Sequence, residues 1–147
     1  MVRIVLAAGL LVASLHAARA GDSAPLDDAA IGAAVSGQRF AGVYDDGSAW
    51  RETYAADGSL AYEDDENDVD GQWRVISGRL CTLYATGVEG GCFMVFRRST
   101  NCFDFYAVDP SSGMPLASEA ERAAQSGWSA RGWSMDKAST CPLGEVT

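Results

Sequence analysis

Carboxylates are the most concentrated chemical groups in this sequence, and six of them occupy the eight positions 63–70. Glu66, Asp68 and Asp70 have the alternate spacing of the first three ligands in a calcium-binding loop, and a glycine follows them. The glutamate that such a loop needs at its twelfth position is replaced by Ser77, and a strand-like pattern follows instead of a helix. The run therefore predicts either a looser calcium site at these three acids or a solvated turn between two strands, and repulsion between like charges favours the turn.

A separate carboxylate, Glu52, lies between two aromatic residues in an alternating pattern. Alternation along a strand places Glu52 on the same face as Trp50 and Tyr54. If that face points inward, Glu52 is a buried carboxylate that needs a partner, and an arginine is the first expectation. A bulge or an outward aromatic pair is the alternative. Together with Trp73, these three side chains are the candidate ligand-binding residues.

The exported chain lacks the residues that most other kinds of catalytic site require. The one histidine, His16, lies in the leader described below, so the exported chain has no Ser-His-Asp triad, Cys-His pair or histidine metal site. The sequence contains no G-x-S-x-G motif, phosphate-binding loop or dinucleotide fingerprint. We therefore expect a non-catalytic protein without a cofactor, with a hydrolase that uses carboxylates alone as an alternative.

The first 20 residues have the three parts of a secretory signal peptide. A basic residue near Met1 precedes an apolar stretch over 4–15, and Ala18-Arg19-Ala20 has the form of a cleavage site. The apolar stretch is shorter than the ~20 residues that span a bilayer, and no later segment is apolar for that length. The sequence predicts a periplasmic or secreted protein without a transmembrane segment, in which residues 21–147 form one β domain stabilised by disulfides.

The charge of the exported chain limits its partners. It keeps all 20 acidic residues and, without Arg3 and Arg19, nine basic ones, so its formal charge is −11. A charge of this sign argues against nucleic acid and anionic lipid as partners. A small molecule or a cationic protein remains. Inhibition of a cationic cell-wall hydrolase such as lysozyme is one alternative function, with the charge steering the encounter.

Four cysteines in an exported chain predict two disulfides, with three pairings open. If 77–78 is a two-residue turn, Val75 faces Leu80, and Cys81 then sits opposite Cys92 on the next pair of strands. This register places five apolar side chains on one face: Trp73, Val75, Leu80, Phe93 and Val95. It favours Cys81–Cys92, which leaves Cys102–Cys141 to hold the tail.

The elements around these residues are mainly strands. Asp27 is placed to cap a short helix that ends near Gly37, and Ser118 to cap another near residues 118–125. Between the two helices the apolar period is two, with turn signals every eight to twelve residues. The predicted strands are 38–44, 49–55, 59–63, 72–76, 79–84, 92–97 and 103–108, followed by a last strand or loop that carries Trp128 and Trp133. They indicate a single antiparallel meander that forms a small barrel or half-barrel.

Three motifs carry a resemblance to a known group of proteins. They are Tyr54-Ala-Ala-Asp57-Gly58, Gly71-Gln-Trp73-Arg-Val75, and Leu80-Cys81 with Gly91-Cys92-Phe93. From Leu26 to Cys141 the chain resembles small exported proteobacterial domains of unknown function with a lipocalin-like half-barrel, although Asp27 stands where these usually have Thr or Ser. The resemblance implies the fold and no catalytic residues. An interior of this size is either filled by its own side chains, which the short chain favours, or holds one small ligand.

Overall fold

A computed structural model describes residues 24–142, which form a β-barrel with two short helices. The predicted signal peptide lies outside the described residues. The elements are α1 (Asp28–Val35), β1 (Gln38–Tyr44), β2 (Ala49–Tyr54), β3 (Ser59–Glu63), β4 (Asp68–Ile76), β5 (Arg79–Tyr84), β6 (Gly91–Ser99), β7 (Cys102–Ala107), α2 (Glu119–Ala123) and β8 (Ala130–Ser134). Neither helix in this part of the chain is long and apolar enough to cross a membrane.

The eight strands pair in sequence order, and β8 returns to pair with β1, so the barrel is closed. All pairings are antiparallel, as predicted for a meander. The last strand, which the sequence left open as a strand or a loop, makes this closure, with Gly42 opposite Gly132. Strand β4 begins at Asp68 rather than at the predicted residue 72, because pairing with β3 extends it into the acidic run.

The predicted register of the central strands is confirmed. Val75 faces Leu80, and Cys81 faces Cys92. Both predicted disulfides are present, the second joining Cys102 to Cys141. The apolar face defined by this register packs into the main core of the barrel. A shift by one residue would have turned that face to solvent, so the turn at 77–78 and the first disulfide specify the same pairing.

Helix α1 covers one end of the barrel. Asp27 caps it by accepting a hydrogen bond from the backbone N–H of Ala30 at 2.8 Å. Its apolar residues Ile31 and Val35 are fully buried in the barrel core. The helix packs against β1, β4 and β5, and the chain leaving it is held where the Gly37 N–H donates to the Tyr54 carbonyl. This end of the barrel is therefore filled.

The segment from β7 to β8 covers part of the outer surface. Beneath it lies Asp104, fully buried, whose carboxylate accepts hydrogen bonds from Arg98 at 2.7 Å and Arg131 at 2.6 Å. Arg98 also donates to the backbone carbonyl of Arg122, at the end of α2. Helix α2 has the predicted Ser118 cap. Two guanidinium groups on one carboxylate thus link β6, β7 and β8, and Arg98 also bonds the outer segment to the sheet.

Candidate functional site

Strand β2 points Trp50, Glu52 and Tyr54 into the barrel. All three are buried, whereas Arg51 and Thr53 between them are exposed. The inward arrangement, rather than a bulge or an outward aromatic pair, is therefore the observed one. It places a carboxylate in the aromatic interior of the barrel, with only 7 % of the residue exposed.

The partners of Glu52 are two tyrosines, so the prediction of an arginine partner is wrong. The hydroxyl of Tyr54 donates to one carboxylate oxygen, and the hydroxyl of Tyr84, on β5, donates to the other. Within residues 24–142, the carboxylates that form ion pairs are those of Glu63 and Asp104. Both lie on the outer face of the barrel, away from Glu52. The arginine beside Glu52 in sequence, Arg51, alternates outward and pairs with exposed Glu63.

Burial makes Glu52 harder to ionise than an ordinary glutamate. Loss of hydration raises the pKa of the Glu52 carboxyl, and the two tyrosine hydroxyls, which stabilise the charged form, offset this only in part. Burial and the nearby carboxylate also raise the pKa values of Tyr54 and Tyr84, so both stay protonated and able to donate. A titratable group with a raised pKa inside a cavity is a typical feature of a functional site.

A cavity of about 90 Å³ lies next to Glu52, and we call it the Glu52 cavity. Its wall includes Tyr44 at the end of β1 and Tyr84 at the end of β5, so it lies towards the barrel end opposite α1. Exposed Glu89, in the loop after β5, belongs to the wall and brings the cavity to the surface. The remaining wall is formed by Trp50, Tyr54, Leu80, Thr82, Phe93, Phe105 and Ala130. The interior of the barrel is thus mostly but not completely filled.

Trp50 shapes one side of the Glu52 cavity. Its six-membered ring lies against two glycines of neighbouring strands, Gly42 and Gly132, where a Cβ atom would clash with ring atoms. Only glycine at these two positions leaves space for the ring. The Gly42–Gly132 pair, where β1 meets β8, therefore allows the large Trp50 side chain to point into the barrel. The indole nitrogen of Trp50 is buried and has no hydrogen-bond partner among the described residues. A buried donor of this kind requires an acceptor, from a ligand or from ordered water.

Trp73 stands outside the wall of the Glu52 cavity. It is half-buried, its indole N–H donates to the Ala55 carbonyl at 2.8 Å, and its ring packs edge-on against Tyr54 with the centroids 5.8 Å apart. Trp73 therefore supports a residue of the wall. Sequence reasoning missed Tyr84, although the confirmed register carries a signal for it, since Leu80, Thr82 and Tyr84 alternate onto one face.

The acidic run forms a turn closed by its own side chain. The carboxylate of Asp64 accepts hydrogen bonds from the backbone N–H groups of Glu66 and Asn67, at 2.8 Å and 2.6 Å. The Tyr62 hydroxyl donates to the same carboxylate and, with these N–H groups, lowers the pKa of Asp64 to about 2. The run is therefore anchored to the barrel through Tyr62.

The three predicted calcium ligands all have exposed side chains. Glu66 lies in the turn, while Asp68 and Asp70 project from β4. No three His, Cys, Asp or Glu side chains come together in a metal-binding arrangement anywhere in residues 24–142. The calcium site stays a prediction, and the geometry offers no support for it.

Comparisons with protein-family models, with curated proteins and with solved structures found no match to this chain. The eight-stranded antiparallel barrel with two disulfides is compatible with a lipocalin-like fold. The feature of this barrel that indicates a function is the Glu52 cavity, with its buried carboxylate.

Proposed function

We propose that this protein is an exported, non-catalytic binding protein that holds one small molecule in the Glu52 cavity. The observation that supports this most is a cavity of about 90 Å³ that reaches the surface and contains a buried carboxylate. Binding sites are typically concave, mostly apolar and furnished with a few well-placed polar groups. The wall has this composition, with Glu52, Thr82 and three tyrosines as polar residues among apolar and aromatic ones.

The dimensions of the cavity limit the size of the ligand. Drug-sized ligands occupy roughly 300–1,000 Å³, whereas a cavity of ~150 Å³ holds benzene. A site of about 90 Å³ therefore suits a molecule of only a few non-hydrogen atoms, or one end of a longer molecule that extends past Glu89. We also propose that the protein is exported and related to the lipocalins. The two disulfides support export, because disulfides persist in oxidising compartments outside the cytosol.

Filling the cavity tests this function. In Ala130→Leu the new side chain would enter the Glu52 cavity, whereas Ala49→Leu makes the same change at an exposed position of β2. Native mass spectrometry of each protein, purified from the periplasm of the expressing cell, would report any bound small molecule. We expect a bound mass in the unmodified protein and in Ala49→Leu, and its loss in Ala130→Leu. Equal occupancy in both variants would contradict binding in this cavity.

The raised pKa of Glu52 also favours a second function, carboxylate-dependent hydrolysis, since the general acid of such an enzyme has a pKa above the ordinary carboxyl value. Hydrolysis of this kind uses a second carboxylate, and Glu89 is the other acid of the wall. The molecule recovered from the protein distinguishes the two functions. If Glu89→Gln retains an intact compound that the unmodified protein releases as fragments, hydrolysis is supported; the same intact compound in both supports binding alone.

A further inference from the structure

The charges of the Glu52 cavity indicate the class of its ligand. Among residues 24–142, the side chains that line the cavity include the carboxylates of Glu52 and Glu89 and no basic group. Glu52 lies deep in the wall and Glu89 at the surface. A buried carboxylate is normally compensated by a cation of the protein, because its lost hydration costs several kcal/mol. At Glu52 the protein supplies two neutral hydroxyls instead.

The aromatic wall adds a second feature that attracts a cation. The rings of Tyr44, Trp50, Tyr54, Tyr84, Phe93 and Phe105 surround the space beside the carboxylate. Ring faces carry negative electrostatic potential and attract organic cations, and the attraction grows when water is excluded. An inorganic ion would have to give up its hydration shell to enter this space, whereas an alkyl group gains from apolar contact with the rings.

We propose that the ligand of the Glu52 cavity is a small organic ammonium ion, with its nitrogen at the Glu52 carboxylate and its alkyl part against the aromatic wall. This inference rests on the proposed binding function and gives the chemical class of the ligand. Each carboxylate oxygen of Glu52 accepts one hydrogen bond from a tyrosine and keeps a lone pair free for an N–H donor. Glu89 at the surface attracts the cation to the entrance of the cavity.

A matched pair of probes separates charge from shape. Propylammonium and propan-1-ol have the same number of non-hydrogen atoms and differ in charge. Each is titrated into the protein at low salt, and the indole N–H resonance of Trp50 is followed by NMR. We expect propylammonium to bind at least about tenfold more tightly than propan-1-ol, the difference expected for one charge-assisted hydrogen bond.

Glu52→Gln keeps the shape of the side chain and removes its charge. We expect this variant to bind propylammonium about tenfold more weakly and propan-1-ol unchanged. Glu119→Gln removes the same charge from an exposed position on α2 and should bind both probes as the unmodified protein does. Equal affinity of the unmodified protein for the two probes, or an equal loss in the two variants, would overturn the inference.

The unmodified protein gives an independent measurement. As pH falls and Glu52 takes up a proton, binding of propylammonium should weaken while binding of propan-1-ol stays constant. The titratable groups that face Glu52 are Tyr44 from β1, Tyr54 from β2, Tyr62 from β3, Tyr84 from β5 and Glu89 from the loop after β5. The tyrosines stay protonated throughout this range. The same titration on Glu89→Gln measures how much of the pH dependence of propylammonium binding comes from Glu89.

The two proposals fail in different ways. If propan-1-ol binds at Trp50 and propylammonium gains nothing from its charge, the cavity binds ligands but not cations, and only the inference fails. If neither probe perturbs Trp50 and Ala130→Leu has no effect on bound mass, the binding function itself is refuted.

Discussion

The stability of the protein should depend on pH through Glu52, and Glu52→Gln should remove that dependence. Burial raises the pKa of Glu52 in the folded barrel above the ordinary value of 4.5. The folded state therefore holds the proton more tightly than the unfolded state. The stability linked to this proton is fully present below about pH 4.5 and is lost as pH rises through the folded-state pKa.

The size of the effect follows from the linkage. Between the unfolded and folded pKa values, each unit of pH lowers the free energy of unfolding by about 1.4 kcal/mol, because the folded protein keeps a proton that the unfolded chain releases. Glutamine has no proton to lose and can still accept from one tyrosine and donate to the other, whose hydroxyl rotates. Glu52→Gln should therefore become progressively more stable than the unmodified protein as pH rises from about 4.5.

Urea unfolding followed by tryptophan fluorescence, with the disulfides intact, measures this difference at each pH. Glu119→Gln, which removes an exposed carboxylate, is the control and should follow the unmodified protein within about 0.5 kcal/mol at every pH. A constant difference between Glu52→Gln and the unmodified protein across the pH range would refute the reasoning. It would mean that the tyrosine hydroxyls stabilise the carboxylate as well as water does.

Three further changes test the packing around the site, each by urea unfolding. Gly42→Ala places a Cβ atom against both the Trp50 ring and the Arg131 backbone carbonyl and should cost about 1–3 kcal/mol, with a shifted Trp50 indole resonance. Asp104→Ala leaves the buried Arg98 guanidinium and the half-buried Arg131 guanidinium without an anionic partner and should cost about 3–5 kcal/mol, whereas a cost below about 1 kcal/mol would show that water compensates them. Replacing both Cys102 and Cys141 by serine opens the longer loop and should cost about 4 kcal/mol, more than the ~3 kcal/mol for the shorter loop of the other disulfide.

The parts of the fold that could be predicted from sequence are those specified by neighbouring residues. The turn at 77–78 and the alternation of Val75 and Leu80 are local signals, and the match of Cys81 with Cys92 confirmed them across a third strand. The helix caps at Asp27 and Ser118 are likewise local, since a side chain bonds to a backbone N–H three residues on.

The partners of the candidate site depend on the curvature of the whole barrel. Alternation was enough to place Glu52 beside Trp50 and Tyr54, but Tyr84 comes from β5, which does not pair with β2. Their hydroxyl–carboxylate contact crosses the interior, so it exists only once β8 has closed on β1. The cavity depends in the same way on Gly42 and Gly132, which make room for Trp50 and leave the space beside Glu52 unfilled. The size of a cavity depends on how the side chains of all eight strands fill the interior together. The spacing of residues along the chain does not give that information.

The two buried carboxylates among residues 24–142 differ in how their charge is compensated, and the difference points to a functional role for Glu52. Asp104, fully buried, is bonded to the guanidinium groups of Arg98 and Arg131 on the two neighbouring strands, and these two cations compensate its charge. Glu52 is almost as buried but has only neutral hydroxyls as partners and borders a cavity that contains no basic side chain among the described residues. An apolar side chain at position 52 would remove that desolvation cost, which stability alone would favour. A local arrangement that weakens the fold is expected where binding requires it, and an ammonium ion at Glu52 would supply the positive charge that two arginines supply to Asp104.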